Sequence, residues 1–443
     1  MPEGKRDHMV VSGRLVLLTA VGAVPVVLFG QTAASAYVTL AIWLLFVLLA
    51  SIADVLFAGA PRQVEIERDL PARVRLGEDA VSRVAITNRG SRTLRLQVRD
   101  GWEPTAGATQ HRPKLDVPSG ERRVAEFPLR PSRRGDRRSE LVTLRSWGPM
   151  GLAARQVSLA DRGVLRVLPP FNSRKHLPSR LARLRELDGA TRLMVRGQGT
   201  EFDSLREYVR GDDVRSIDWR ATARRQDLVV RTWRPERDRR VVIVIDTGRT
   251  SAARVADETR LDTAIESALL LAALATRAGD RVDVVAWDRR VRARIQGVSG
   301  AELLSRMVES LADVEPELIA TDWRAIPGLV RGVTTHRSLV VVLSTLETAG
   351  TLEPVIAALP QLASKHVVVL GSVLNPDVHE VVLRRDTREQ TYAASAAERA
   401  LLDQERVRQT VRRLGGDTVT GTPSALPPAI ADHYIELKAT GRL

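Results

Sequence analysis

Residues 241–246 read VVIVID, a run of five apolar residues that ends in an aspartate. A strand that is covered on both faces shows no polar side, so such a run is typical of a central strand in a parallel sheet. Strand-like and helix-like patterns then alternate to the end of the chain. This alternation predicts a doubly wound, Rossmann-type α/β domain over residues 241–443. Sites in such sheets form beyond the carboxyl ends of the strands, where Asp246 lies.

The predicted elements after Asp246 are short and well separated. They are helix Arg260–Ala278, strands Val282–Trp287 and Val291–Ile295 as a hairpin, helix Ala301–Leu311, strand Leu339–Leu343, helix Leu352–Ala363, strand Val367–Leu370, helix Ala396–Leu414 and a strand near Thr418–Thr420. The preceding residues, 61–170, instead alternate apolar and polar side chains over short runs such as Val64–Glu67, Val81–Thr87, Leu94–Val98 and Leu141–Leu144. Strict alternation indicates strands with one buried face, and several of them predict a β-sandwich-like domain.

The first 60 residues predict a transmembrane helical hairpin. No charged residue occurs from Leu15 to Ala53, a run of 39 positions, whereas one span needs about 20. A polar break at 31–35 divides the run into spans near 15–34 and 36–57. Basic residues flank both outer ends, so both are expected in the cytoplasm. We therefore predict a multi-pass protein of the cell membrane with the bulk of the chain cytoplasmic; the alternative is a cleaved signal peptide.

The composition narrows the possible partners. The chain of 443 residues has no cysteine, which excludes disulfide scaffolds and cysteine nucleophiles. Its net charge of +14 is concentrated in the middle: residues 61–170 carry 22 basic against 13 acidic side chains, and residues 171–240 carry 18 against 11. Anionic lipid headgroups would attract such charge near a membrane. Nucleic acid is not expected, because 4% aromatic residues is low for a protein that stacks bases.

Residues 171–240 are interpreted as a linker that carries one dense polar motif. Its core reads GQGTEFDSLREYVRGDDVRSIDWRATAR over Gly197–Arg224, hereafter the signature segment. Its periodicity predicts a short amphipathic helix over Asp203–Arg210 that is stopped by Gly211. Asp212 or Asp213 can then cap the next turn. The charged residues of the segment either pair with one another or face a partner, and the sequence leaves both alternatives open.

The signature segment closely resembles that of the family catalogued as domain of unknown function 58 (DUF58). The family pattern falls on Gly199, Glu201, Phe202, Leu205, Arg206, Tyr208, Gly211, Asp212, Arg215, Ile217, Trp219, Thr222, Ala223 and Arg224. The candidate interaction residues are these positions except Leu205, Ile217 and Ala223, with Asp218 added from within the run. The resemblance implies a bacterial membrane-anchored protein with a von Willebrand factor A-like α/β domain. It also implies a MoxR-type AAA+ ATPase as partner, in assembly, chaperone-like or cell-envelope processes.

The resemblance to A-like domains raises the question of a metal-ion-dependent adhesion site. A complete site has Asp-x-Ser-x-Ser after the first strand, a later Thr and a final Asp, and such oxygen ligands suit Mg²⁺. The residues at the corresponding positions are Asp246, Gly248, Thr250, Thr321 (or Asp322) and Ser344. Gly248 and Ser344 depart from the motif, so we expect a degenerate site without a bound metal, and no cofactor.

Familiar catalytic motifs are absent from the sequence. It contains no phosphate-binding loop, no His-Glu-x-x-His pair and no Gly-x-Ser-x-Gly elbow. We therefore expect a membrane-anchored, cytoplasmic-facing protein-interaction or adaptor protein that is not an enzyme. The alternatives are a cryptic metal-dependent hydrolase at Asp246 and a nucleic-acid-binding protein that uses the basic middle of the chain.

Overall fold

The protein is a multidomain α/β chain. The computed structural model describes residues 8–109, 111–194, 201–210, 212–225, 227–234, 239–345 and 349–443. The chain folds into two compact units, Met1–Leu168 and Pro169–Leu443, hereafter the N-terminal unit and the C-terminal unit. Each unit has its own sheets and its own hydrophobic cores.

Apolar helices open the N-terminal unit: α1 (Gly13–Val21), α2 (Ala23–Phe29) and α3 (Ala33–Phe57). Among the described residues, α3 alone is long and apolar enough to cross a membrane by length and composition, and Gly13–Phe29 is a shorter apolar stretch. The second predicted span, near 36–57, thus corresponds to one helix, whereas the first, near 15–34, is divided. Pro25 explains the division, because it has no N–H to donate to the carbonyl of Val21.

The strands of the N-terminal unit form two sheets that share a core. They are β1 (His8–Val11), β2 (Val64–Asp69), β3 (Arg73–Arg75), β4 (Ala80–Asn88), β5 (Leu94–Trp102), β6 (Lys114–Val117), β7 (Arg122–Leu129), β8 (Gly135–Trp147) and β9 (Ala153–Leu168). One sheet has the order β1-β9-β8-β5-β6 with β3 beside β9, and the other has the order β2-β4-β7. Ile86 and Phe127 of the smaller sheet pack with Leu96 and Leu144 of the larger one. The predicted alternation therefore builds a β-sandwich.

A buried carboxylate joins α3 to this sandwich. Asp54, in the last turn of α3, is fully buried. One of its oxygens accepts the backbone N–H of Met150 at 2.7 Å, and the other accepts those of Leu152 at 2.7 Å and Ala153 at 3.0 Å. A Cβ on Gly148 would lie 2.2 Å from this carboxylate, so the turn needs glycine there. The end of α3 is thereby fixed to the loop between β8 and β9.

Strands and helices alternate through the C-terminal unit. The strands are β10 (Glu201–Glu207), β11 (Val229–Arg234), β12 (Arg240–Asp246), β13 (Arg254–Val255), β14 (Glu258–Thr259), β15 (Arg281–Trp287), β16 (Val291–Ile295), β17 (Leu339–Leu343), β18 (Val367–Val373) and β19 (Gly416–Gly421). The helices are α4 (Leu177–Met194), α5 (Trp219–Arg225), α6 (Arg260–Arg277), α7 (Gly300–Ala312), α8 (Ile326–Val333), α9 (Ala349–Ala363), α10 (Asp377–Leu383), α11 (Arg388–Arg413) and α12 (Leu426–Ala439).

The six-stranded sheet of this unit is doubly wound. Its order is β16-β15-β12-β17-β18-β19, and all neighbours are parallel except the edge strand β16. Ile243 and Ile245 pack under α6, α7 and α12, whereas Val242 and Val244 pack under α8, α9 and α11. Burial on both faces explains the unbroken apolar run of β12. The segment 171–240, expected as a linker, adds α4 to the first of these cores through Leu184.

We predict that Asp54→Ala destabilises the full-length chain. Three backbone N–H groups, of which those of Leu152 and Ala153 are buried, would lose their acceptor, and each loss at a buried position costs about 1–3 kcal/mol. A total of about 3 kcal/mol corresponds to a fall in Tm of roughly 6–12 °C for a unit of this size, measured by thermal unfolding in dodecyl maltoside. Ser51→Ala is the matched control, because the Ser51 hydroxyl donates to the Val47 carbonyl of its own helix. Equal falls in the two variants would contradict the role of Asp54.

Candidate functional site

The signature segment begins with a strand and not with the predicted helix. Glu201–Glu207 forms β10, which pairs antiparallel with β11, so the helix expected over Asp203–Arg210 was wrong. Its partner strand contributes the buried residues Val229 and Val230, and this long-range pairing overrides the local helical spacing. The backbones of Glu201 and Phe202 lie in β10, with Phe202 opposite Trp233. Gly199 and Gly211 lie outside the described residues.

An arginine–aspartate pair holds the turn after β10. The guanidinium of Arg206 donates to both carboxylate oxygens of Asp212, at 2.8 and 2.6 Å. Asp212 also accepts the backbone N–H of Val209 at 2.9 Å. Asp213, as predicted, caps the following turn by accepting the N–H of Arg215 at 3.0 Å. Arg206 and Asp212 therefore brace the segment from within.

Asp218 is a second bracing residue. Its carboxylate accepts the N–H groups of Arg220 and Ala221 at the start of α5, both at 3.0 Å, and the guanidinium N–H of Arg231 at 2.8 Å. The hydrogen bond from the Ala221 N–H and the bond from Arg231 lower the pKa of Asp218. The Thr222 hydroxyl accepts the N–H of Val229 at 3.1 Å. The helix α5 is thus tied to β11 at both positions.

Other residues of the signature segment face outward. Trp219 is 67% exposed, and Val209 and Val214 are 61% and 62% exposed. Arg215 and Arg224 are exposed, whereas Tyr208 is half-buried. The segment therefore separates two groups of residues that the sequence could not separate: those that hold its shape and those that its shape presents to solvent.

The second candidate site is centred on Asp246, at the carboxyl end of β12. Its carboxylate accepts hydrogen bonds from the hydroxyls of Thr321 and Ser344 and, at 2.8 Å, from the N–H of Gly248. Ser344 follows β17, the neighbour of β12 on the side opposite β15, so the two residues meet where the winding of the sheet reverses. Burial raises the pKa of Asp246, and the nearby negative charge of Asp288 raises it further. The hydrogen bonds from Ser344, Thr321 and Gly248 act in the opposite direction, but burial has the larger effect.

The structure revises part of the predicted ligand set. Of the two alternatives for the later loop, Thr321 contacts Asp246, whereas Asp322 caps the turn at Trp323–Ala325. Thr250 lies in the turn Arg249–Ala252, and the neighbouring Ser251 hydroxyl donates to the Asp246 backbone carbonyl at 2.7 Å. Within the described ranges, no group of three or more His, Asp and Glu side chains is placed to hold a metal ion. The donors around Asp246 are hydroxyls that already bind its two oxygens.

Gly248 shows why the motif cannot be completed by one substitution. A Cβ at this position would lie 2.2 Å from the Thr321 hydroxyl oxygen and 2.9 Å from the Ile319 carbonyl oxygen. The serine of the complete adhesion motif therefore does not fit this backbone. The Thr321 hydroxyl occupies the space that its side chain would need.

A group of carboxylates that the sequence analysis missed lies at the start of α6. Glu258, on β14, lies near Asp262 and Glu266, and Glu266 accepts the backbone N–H of Ser173. Burial, then the charges of Glu266 and Asp262, raise the pKa of Glu258 to about 7, while a hydrogen bond from Thr263 opposes them. The spacing of Glu258, Asp262 and Glu266 at intervals of four residues was the available signal.

We predict that Gly248→Ala destabilises the C-terminal unit by about 1–3 kcal/mol, the usual cost of overpacking. Gly248→Ser should behave alike, because the conflict arises at Cβ. The measurement is the free energy of unfolding by urea. Gly332→Ala in α8 is the control, since its Cβ would meet no atom within 4 Å, and alanine is preferred inside a helix by about 1 kcal/mol. A Gly248→Ala variant as stable as wild type would contradict the observed packing.

We also predict a pH dependence that arises from Glu258. Its folded-state pKa of about 7 exceeds the ordinary 4.5, so the folded form binds the proton more tightly. Stability therefore falls as the pH rises from about 4.5 to about 7. Glu258→Gln should raise the Tm at pH 8, with the gain shrinking towards pH 5. Glu302→Gln, on the exposed surface of α7, is the control, and identical pH profiles for wild type and Glu258→Gln would refute the prediction.

The comparison with known proteins matches part of this chain to a family of unknown function. The family model described as "Protein of unknown function DUF58" matches residues 204–414. Uncharacterized proteins of Mycobacterium tuberculosis and Mycobacterium bovis are each 25% identical over 201 residues, which cover 43% of this chain and 62% of theirs. The match thus spans less than two thirds of the length of these relatives.

Solved structures give weaker likenesses. A CARDB domain from Pyrococcus furiosus, solved with di-metal ions, has a TM-score of 0.17 at 15% identity and covers 25% of this chain and 96% of that one. An α-2-macroglobulin from Escherichia coli has a TM-score of 0.21 at 12% identity and covers 80% of this chain and 24% of that one. Scores this low do not establish a shared fold. The sequence match, which includes most of β10, α5 and the sheet through β18, is the informative one: residues 204–414, a little under half of this chain, match the DUF58 family model.

Proposed function

We propose that this protein is a membrane-anchored adaptor whose signature segment binds a partner protein on the cytoplasmic side. Its partner would be an AAA+ ATPase of the MoxR type, which the family resemblance implies, in an assembly, chaperone-like or cell-envelope process. The ATPase would supply the chemistry of nucleotide hydrolysis. The adaptor would supply the attachment to the membrane and a recognition surface.

The observation that carries this proposal is the exposure of Trp219. A tryptophan that is 67% exposed gains little from burial within its own unit, and tryptophan, tyrosine and arginine are the residues most enriched at the centres of protein interfaces. Arg215 and Arg224 of the same segment are also exposed. The pairs Arg206–Asp212 and Asp218–Arg231 hold the backbone beneath these side chains, so a partner would meet a surface that needs little ordering.

The sheet of the C-terminal unit supports a von Willebrand factor A-like assignment. An antiparallel edge strand, a central β12 and a doubly wound order are the arrangement expected for such a domain. Asp246 and Ser344 stand at the crevice where domains of this class bind partners. We propose that this crevice, with its hydroxyl-bound carboxylate, acts without a metal.

The membrane anchor is proposed to consist of both predicted spans. The Trp43 ring N–H of α3 donates to the Leu18 carbonyl of α1 at 3.1 Å, which supports the packing of the shorter helices against α3. The basic residues after α3 favour a cytoplasmic location for the bulk of the chain.

Photo-crosslinking tests the adaptor function. A photoreactive amino acid at position 215 of the full-length chain, in its native cells, is expected to capture an AAA+ ATPase, identified by mass spectrometry. Trp219→Ala should leave the free energy of unfolding within about 0.5 kcal/mol of wild type, as exposed positions usually do. It should lower the crosslinking yield by an order of magnitude, the effect of losing an interface hot spot.

Leu383→Ala is the matched control, because Leu383 is an 82% exposed apolar residue of α10, outside the signature segment. It should leave the crosslinking yield unchanged. A stable Trp219→Ala protein that still captures the ATPase at the wild-type yield would remove the basis of this proposal. So would crosslinks from position 215 that reach only lipid or other copies of this chain.

A further inference from the structure

The N-terminal unit contains a polar cavity of about 240 Å³ beside the end of α3. Leu56 and Ala58, at the end of that helix, form one wall. Arg92 with its neighbour Ser91, in the loop between β4 and β5, and Arg155 of β9 form the others. The cavity is smaller than the roughly 300–1,000 Å³ of a site for a drug-sized ligand. Its size suits a small polar group.

The lining of this cavity carries positive charge without a negative side chain to balance it. Two arginines line it, and the remaining lining residues, all of them described, include no aspartate or glutamate. Arg92 donates one N–H to the Leu56 carbonyl at 2.9 Å, and Arg155 donates one to the Val55 carbonyl at 3.1 Å. These bonds cap the carboxyl end of α3 and use one of the five N–H groups that each guanidinium presents. A planar guanidinium group can donate two parallel N–H bonds to two oxygens of one phosphate.

The position of the cavity indicates where such a phosphate would come from. The 25 residues of α3 extend roughly 37 Å at 1.5 Å per residue, which exceeds the hydrocarbon thickness of about 30 Å. The last turn of α3 therefore reaches the level of the lipid headgroups. The apolar side chains of Leu56 and Phe57 there are 61% and 66% exposed. The basic cavity matches the phosphate of a phospholipid headgroup, and the exposed apolar side chains beside it match the acyl chains.

We propose that this cavity binds the phosphate of an anionic phospholipid headgroup through Arg92 and Arg155. The phosphate accepts hydrogen bonds from both guanidinium groups, while Gln63 and Ser91 offer further polar contacts to the rest of the headgroup. The acyl chains lie along the exposed side of α3. The inference rests on the proposed membrane attachment and is independent of the proposed ATPase partner.

The test measures thermal stabilisation of the full-length chain in dodecyl maltoside. Three probes are added at equal concentrations: dihexanoyl phosphatidylglycerol, dihexanoyl phosphatidylcholine and inorganic phosphate. A ligand that binds the folded form raises the Tm in proportion to the logarithm of its concentration over Kd. Phosphatidylglycerol is expected to bind at least tenfold more tightly than either of the other two. The phosphate of phosphatidylcholine is balanced by the choline cation, so equal binding of this lipid would overturn the preference for an anionic headgroup. Equal binding of inorganic phosphate would exclude the lipid as the source.

A substitution that spares the two helix-capping arginines locates the site. Ser91→Asp places a negative charge in the wall of the cavity and is expected to weaken phosphatidylglycerol binding at least tenfold. Ser91→Asn, which has a similar size and no charge, should retain wild-type binding. Undiminished binding by Ser91→Asp would overturn the assignment. Extraction of native membranes with alkaline carbonate separates the two proposals: release of the chain refutes membrane attachment and this inference together, whereas retention without phosphatidylglycerol binding refutes this inference alone.

Discussion

The N-terminal unit depends on one carboxylate, that of Asp54. The outward side chains of α3 are almost entirely apolar, and apolar contacts are not directional. Such contacts alone would not fix the orientation of the helix on a β-sandwich. Asp54 adds directional hydrogen bonds, because its carboxylate accepts three backbone N–H groups of the loop Met150–Ala153. The same carboxylate forces Gly148 to remain glycine. This contact, together with the hydrogen bonds from Arg92 and Arg155 to the Leu56 and Val55 carbonyls, fixes the end of α3 and with it the cavity that the two arginines line.

Much of the fold could be predicted because its strands are either fully buried or half-buried. An unbroken apolar run is typical of a strand buried on both faces, as at Val241–Ile245. Alternation is typical of a strand buried on one face, as at Leu94–Val98. Both strands are present. The strand Glu201–Glu207 was mistaken for a helix because its apolar residues recur at three- and four-residue intervals. Its partner, Val229–Arg234, is too distant in sequence to be read from that pattern. Helix Leu426–Ala439 was missed because Pro427 and Pro428 look like a loop, although proline is favoured in the first turn of a helix.

The candidate sites were predictable in their location and less so in their detail. Asp246 was identified from its place after a buried strand, and Thr321 from the family motif. Thr250 was expected to offer a hydroxyl at a degenerate metal site, whereas the hydrogen bond from the neighbouring Ser251 hydroxyl to the Asp246 backbone carbonyl was not anticipated, because it depends on the register of a single turn. The division of the signature segment into bracing and exposed residues depends on pairs such as Arg206–Asp212 and Asp218–Arg231. Such pairs are decided by the path of the chain and not by composition.

The separation in sequence between Asp54 and its hydrogen-bond partners also determines when this contact can form during synthesis of the chain. Met150 is made 96 residues after Asp54, which takes about 5–20 s at the usual rates of translation. If α3 spans the membrane, as proposed, water is the hydrogen-bond donor for its Asp54 carboxylate during that interval. Asp54 would then lie at the aqueous boundary of the membrane until the sandwich folds around it. Insertion of α3 would precede this closure, and the loop Met150–Ala153 would fix a helix that is already in place.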